Sequence, residues 1–337
     1  MFAWLFNPCR ALFLFLLLVL VASAETPTYK VGMVAWIGWS SLNVAQQQGF
    51  WKDEGLNVEV IIFDRPSKMH EAFESDQIQL CMEFVGTVVS WYMQGKDVKL
   101  IAETGWSHGG DKIILKKGEH FSRMRGEVIG TFIDSPAVIY FLSLYLKSLH
   151  MKPTDFRIRQ MEPDDLLLNF IDGNLKAMIN YDPHTIRAVK EGNGYVVANS
   201  SKFPGCLPDG VVMKTSTLNA MPKEDLINFF RGWVMAVRWL QDPGHKKPYG
   251  KLVNEITFHR EQRVYNHAAI NALLGSTKMH KAKTLMVRNR KGGGVEKYLM
   301  DLQRFLEENG RLKKRYGVGD VFDGRAVLAA AESFLAK

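Results

Sequence analysis

Cysteine is scarce: the 337 residues hold three. Cys9 stands in front of an apolar run, whereas a lipid-attachment cysteine would follow one. That leaves Cys81 and Cys206, far apart in the chain. Two thiols permit one disulfide in an exported protein, but Cys81 lies in an apolar strand pattern, where a buried free thiol is the commoner state. No C-x-x-C, H-E-x-x-H or Cys/His cluster with ligand spacing occurs, so neither a metal site nor a cofactor is expected. Gly292-Gly293-Gly294 lacks the lysine and the serine or threonine of a phosphate loop. A second long apolar run is missing too, so no membrane span is expected after the N-terminus. Charge of one sign does not dominate: 43 Lys and Arg stand against 35 Asp and Glu, a net charge of +8. The densest basic cluster, Arg311, Lys313, Lys314 and Arg315, reads as a solvated helix end or, alternatively, a docking patch. With no binding motif in the chain, nucleic acid is not an expected partner.

What is present begins at the N-terminus. One basic residue, Arg10, precedes the apolar run 11–21, and Ala22-Ser23-Ala24 follows it. A basic start, a short apolar core and an A-x-A site describe a secretory signal peptide. The mature chain is therefore expected to begin at Glu25 and to act outside the cytoplasm, in the periplasm. The remaining length suits two domains rather than one small core.

Beyond Pro27 short β-rich runs alternate with helical stretches. Strands are predicted at 31–35, 56–63, 78–84 and 98–103, with helices at 42–54, 67–75 and 86–93. Extended chain at 112–115 continues this first unit. The rhythm then restarts with strands at 127–132, 156–161, 177–180 and 195–198 and helices at 136–149 and 163–170. After a strand at 211–214 the chain is mostly helical. Strands alternating with helices predict parallel or mixed sheets flanked by helices, an α/β fold. In open sheets of this kind ligands sit at the C-terminal ends of strands. That rule directs attention to the junctions 36–41, 83–87, 104–111 and 180–185.

Read in order, these segments carry a pattern. Val31-Gly32-Met33-Val34 is followed by Trp36 and Gly38. Ala45 to Val60 then fits A-x-x-x-G-[FL]-[FW]-x-x-x-G-L-x-V-x-[LV], and Gln77-Ile78-Gln79-Leu80 opens the next strand. Gly95-Lys96-Asp97-Val98 and Gly173-Asn174-Leu175-Lys176-Ala177, with Tyr181-Asp182-Pro183, continue it. The chain resembles the extracytoplasmic solute-binding proteins of ABC importers for sulfonates, taurine, nitrate and thiamine-precursor pyrimidines. The likeness covers roughly residues 29–215. It departs from the family at Gln79 and Lys176, where Asp is frequent, at the acidic Glu83, and at Trp39 and Trp106, which add aromatic surface. The resemblance implies a two-lobed periplasmic binding protein of the type II-like class with a helical C-terminal tail. Lobe 1 is expected to span 28–115 plus 213–337, lobe 2 116–212, with crossings near 116–119 and 206–214. It further implies a monomer that binds one small molecule, closes on it by a hinge, and hands it to a membrane-embedded ABC permease. A periplasmic sensor of the same fold is the alternative. Relatives that make a pyrimidine precursor use a cysteine-rich iron-binding segment, and nothing like it occurs here, so catalysis is not expected.

The expected ligand site follows from the strand-end junctions. Trp36, Trp39, Trp106 and Tyr181 can form an aromatic wall for a planar or cationic ligand, or simply pack beneath loops. Gly38, Gly86 and Gly105 permit tight turns or close approach of backbone. Gly86-Thr87 and Asp134-Ser135 are helix starts, whose free N–H groups suit anions when they do more than cap. Glu83 and Asp182 can meet a ligand cation or an internal partner. Ser107 and Asn180 complete the set. Ser107, His108 and Asp111 crowd within five residues and are not expected to line up as a triad. Carboxylates without a nearby base favour an amine, guanidine-like or zwitterionic nitrogen or sulfur compound. A sulfonate or taurine-like oxyanion and a precursor pyrimidine are the alternatives.

Overall fold

A computed structural model describes residues 27–132, 135–261 and 263–336. The expected signal peptide, 1–24, and Asp134 lie outside these residues.

Eleven strands occur among the described residues, in two mixed sheets. The first has the order β11-β4-β10-β3-β1-β2. It comprises β1 (Thr28–Val34), β2 (Asn57–Phe63), β3 (Leu80–Phe84), β4 (Val98–Ser107), β10 (Pro208–Lys214) and β11 (Thr277–Met279). The second has the order β7-β6-β8-β5-β9. Its strands are β5 (Asp111–Lys116), β6 (Val128–Phe132), β7 (Arg157–Met161), β8 (Ala177–Tyr181) and β9 (Gly194–Asn199). In each sheet the strands β1-β2-β3 or β6-β7-β8 pair in parallel, and later or crossing strands pair antiparallel.

The central strands β3 (LCMEF) and β8 (AMINY) are buried along their whole length, because helices cover both faces. Each fully buried Leu, Ile, Phe or Met contributes about 1.5–3 kcal/mol of transfer free energy before chain entropy is charged against it. Edge strand β7 is the reverse case. Arg157 and Arg159 alternate with half-buried Ile158 and Met161, which solvates the edge. Cys81 on β3 and Cys206 before β10 are both buried free thiols.

Three expectations are corrected. The helix predicted at 42–54 is two helices, Ser40–Gln47 and Phe50–Asp53, because Gly49 adopts φ 75° and breaks the ladder. The stretch 112–115 does not continue the first sheet: β5 pairs with β8 and β9. The first crossing therefore lies between Ser107 and Asp111, not at 116–119, and the return lies between Asn199 and Pro208, because β10 pairs with β3 and β4 from Pro208 onward. The tail also supplies a strand, β11, on the outer side of β4. Helix Lys223–Gln241 packs against helices Ser40–Gln47, Phe50–Asp53 and Arg325–Ser333, with Trp51 stacked on Phe229 at 5.4 Å and its Nε1–H donating to the Phe229 carbonyl at 2.9 Å.

The two crossings are stitched together. The hydroxyls of Ser107 and Ser200 lie 2.8 Å apart, Gly109 N–H donates to Ser200 Oγ at 2.7 Å, and Asp111 N–H donates to Ser107 Oγ at 3.0 Å.

Candidate functional site

A cleft opens where the C-terminal strand ends of the two sheets face each other. Val34, Trp36, Trp39, Pro66, Glu83 and Phe84 line it from the first lobe, and Asp111, Phe132 and Tyr181 from the second. Its free volume is about 20 Å³, room for about one water molecule, so the lobes stand closed on each other here and a ligand enters only as they part. Aromatic rings meet across it edge to face or tilted: Trp36 with Tyr181 at 5.8 Å and Phe84 with Phe132 at 5.9 Å. Phe132 also meets Tyr181, at 5.0 Å. Such pairs hold the lobes together beyond their buried area, by about 0.5–1.5 kcal/mol each. Val34 and Tyr181 also border a wider polar vestibule of about 350 Å³, which carries Asp64, Asp164, His184, Arg187, Arg260 and Arg263. Two exposed ion pairs bridge the lobes, Arg65–Asp165 at 3.3 Å and Arg263–Glu191 at 2.7 Å.

The acids of the cleft differ in one respect. Glu83 is fully engaged: Oε1 lies 2.7 Å from His70 Nε2, and Oε2 accepts the Phe84 N–H at 3.0 Å. Asp182 is engaged as well, by the ammonium of Lys112 and the hydroxyl of Thr185. Asp111 is not. Its side chain is completely buried, and neither carboxylate oxygen has a hydrogen-bond partner. Burial pushes its carboxyl up from 3.8 to about 7, with Ser107 and Lys112 pulling back and Asp182 adding to the rise. Behind Trp36 and Trp39 lies a further buried acid, Asp209. Burial and then Glu103 push it well above the ordinary range, while the two indoles counter. Among the described lining residues no lysine, arginine or histidine occurs.

Of the residues singled out in the sequence, Trp36, Trp39, Glu83 and Tyr181 line this cleft. The others are elsewhere. Trp106 packs against Arg288, 5.1 Å from its ring centre, and edge-on to His280 at 4.8 Å. Those two side chains hold the buried Glu103, Arg288 by a two-pronged pair at 2.7 Å and His280 Nε2 at 2.7 Å. Asn180 folds onto its own strand end, donating to the Pro163 carbonyl and accepting the Tyr181 N–H, both at 2.9 Å. Gly86, Thr87 and Ser135 meet at a helix contact between the lobes. A Cβ on Gly86 would come within 2.5 Å of the Ala137 nitrogen, so this glycine serves close packing, not a left-handed turn. The hydroxyls of Thr87 and Ser135 are buried there without partners.

Gly105-Trp106-Ser107-His108-Gly109 spells G-x-S-x-G, the nucleophile-elbow pattern of hydrolases. No elbow forms: the segment ends a strand and enters a crossing, and Ser107 Oγ pairs with Ser200, not with His108.

Sequence reasoning missed Val34, Pro66, Phe84, Phe132 and Asp111. Phe84 and Phe132 close β3 and β6, so the strand-end rule could have found them. Asp111 lay inside a junction already marked but was weighed only as a triad member.

The profile of the NMT1-like family matches residues 22–254, more than half of the chain. The protein belongs to the NMT1-like family. No curated protein matches this NMT1-like chain in sequence at a significant level. Its fold recurs in the periplasmic nitrate-binding protein NrtA from Synechocystis PCC 6803, at 16% identity and a TM-score of 0.68, covering 93% of this chain and 90% of that one. The alkanesulfonate-binding protein SsuA from Xanthomonas axonopodis pv. citri, bound to MOPS, shares 15% identity with a TM-score of 0.66 over 89% and 99% of the two chains. The periplasmic aliphatic sulphonate-binding SsuA from Escherichia coli shares 14% identity with a TM-score of 0.64 over 88% and 92%. At such identities the likeness is one of fold. Among the described residues no helix of this NMT1-like protein is long and apolar enough to cross a membrane.

Proposed function

We propose that this NMT1-like protein is the periplasmic solute receptor of an ABC importer and that its ligand is a small, positively charged or amine-bearing nitrogen compound held between the lobes. One observation carries the ligand class. The described lining of the aromatic cleft contains two acids and no basic side chain. A desolvated carboxylate calls for a cationic partner, and aromatic faces add to cation affinity. The fold shared with nitrate- and sulfonate-binding proteins supports the receptor role. Hydrolysis has no support, since Ser107 is tied into the crossings.

A second reading, an oxyanion ligand, is favoured by Thr87 and Ser135. Their unpartnered hydroxyls stand at the starts of helices Val85–Met93 and Pro136–Lys147. Thermal-shift and calorimetric screening of the mature protein with small ammonium, guanidinium, sulfonate and nitrate compounds decides between the two. Cations at saturating concentration should raise the melting temperature by a few degrees, and taurine-like sulfonates and nitrate should not. Stabilisation by sulfonates alone would transfer the assignment to the oxyanion reading.

A further inference from the structure

Two of the three acids in or beside the cleft already have partners, Glu83 in His70 and a backbone N–H, Asp182 in Lys112 and Thr185. Asp111 lines the cleft, is wholly buried, and keeps both oxygens free. Its backbone is fixed at three points: its N–H on Ser107 Oγ, its strand register opposite Tyr181, and the preceding Gly110 carbonyl on the Asp182 N–H at 3.0 Å. A Cβ on Gly110 would strike the Trp36 ring at 2.2 Å, so the indole lies directly against this turn. A rigid carboxylate with two open acceptors beside aromatic faces matches one donor geometry best: two parallel N–H groups on the edge of a flat cation.

Building on the receptor assignment above, we propose that Asp111 is the specificity-determining residue of the cleft and that it binds an amidinium or guanidinium group through two parallel N–H···O bonds, the plane of that group lying among Trp36, Phe132 and Tyr181. A primary ammonium presents a point charge without the flat fork and is held less well. The charged form of Asp111 is disfavoured by burial and by Asp182, and Asp209, Tyr181 and Cys206 are near enough to couple to it; the Ser107 hydroxyl and Lys112 favour it, and Lys112 is also paired with Asp182. Binding of a cation therefore ionises Asp111 and releases a proton to solvent, and affinity falls as pH drops below about 7.

The test uses benzamidine and benzylammonium, aromatic cations that differ in the fork, titrated calorimetrically into the mature protein, Asp111→Asn and, as a control at an exposed acid outside the cleft, Glu307→Gln. Benzamidine should bind the wild-type protein more tightly than benzylammonium. Asp111→Asn, of equal shape and with intact folding shown by circular dichroism, should weaken benzamidine about 30-fold or more. Proton release, read from titrations in two buffers of different ionisation enthalpy, should vanish in that variant and persist in Glu307→Gln. Equal binding of the two cations overturns the fork, and undiminished binding to Asp111→Asn overturns the anchor, while both leave the receptor standing. If neither these probes nor any cation of the wider panel binds, the receptor assignment for cations fails together with the proposal.

Discussion

Ionising the wholly buried Asp111 has a measurable consequence for stability. Its folded value of about 7 lies above the ordinary 3.8, so between those limits the native state holds the proton that the unfolded chain has lost. Stability from this group is fully present below about pH 4 and is lost as pH rises to about 7, by an amount on the order of 4 kcal/mol at most. Asp111→Asn should flatten that part of the pH–stability curve and should be more stable than the wild type at pH 8, as urea unfolding at pH 5 and pH 8 would show. Glu103 predicts the opposite. Burial alone would raise its carboxyl, but His280 and Arg288 outweigh burial and hold it low. Glu103→Gln takes the carboxylate away from the Arg288 guanidinium and should cost about 3–5 kcal/mol, read from the shift in denaturation midpoint. The sequence shows acids but not their partners. Glu83 and Asp182 stand out as acids at strand ends, yet His70 and Lys112, which pair with them, come from other elements. Asp111 drew no attention as a ligand residue because its isolation exists only in three dimensions.

Elements were more legible than residues. Strand and helix positions follow period-two and helical patterning of apolar residues, which the local chain alone specifies. The fold-defining break between β4 and β5 was not legible, because Ser107 to Asp111 carries turn residues within a run that reads as continuous extended chain. Only its partners, Ser200 across the second crossing and β8 across the sheet, reveal that the chain changes lobes. Glycine inside helix Lys223–Gln241 is a second case. Alanine at Gly232 would favour the isolated helix by about 1 kcal/mol. In the folded protein its Cβ would come 2.3 Å from the Trp51 indole, which is pinned by its bond to the Phe229 carbonyl. Gly232→Ala should therefore destabilise by about 1–3 kcal/mol despite its better propensity, with the loss appearing in the unfolding rate or midpoint and a changed Trp51 environment in near-ultraviolet circular dichroism.

At the scale of the molecule, two lobes meet through rings in the cleft and through exposed ion pairs at its rim. Arg65–Asp165 and Arg263–Glu191 contribute about 0–1 kcal/mol each and are screened by salt. The ligand-free protein is therefore expected to be more open in 0.5 M salt than at low ionic strength. Small-angle scattering should detect the larger radius of gyration and its reversal when a tightly bound cation is added; a radius indifferent to both would show that the rim pairs do not govern closure. The crossings carry one more consequence, for the order in which the protein can form. All strands of the second sheet come from one continuous stretch, Asp111 to Asn199, so this lobe has everything it needs once that stretch has emerged. The first sheet does not. Both neighbours of β4 are made later, β10 and then β11, and the bridge from Leu100 to Phe322 arrives almost last. A ten-residue, largely buried strand must wait, unpaired, while more than a hundred residues are delivered behind it. During that interval β4 is the segment most exposed to pairing with a wrong partner, and a chaperone that holds the emerging chain would find its target there.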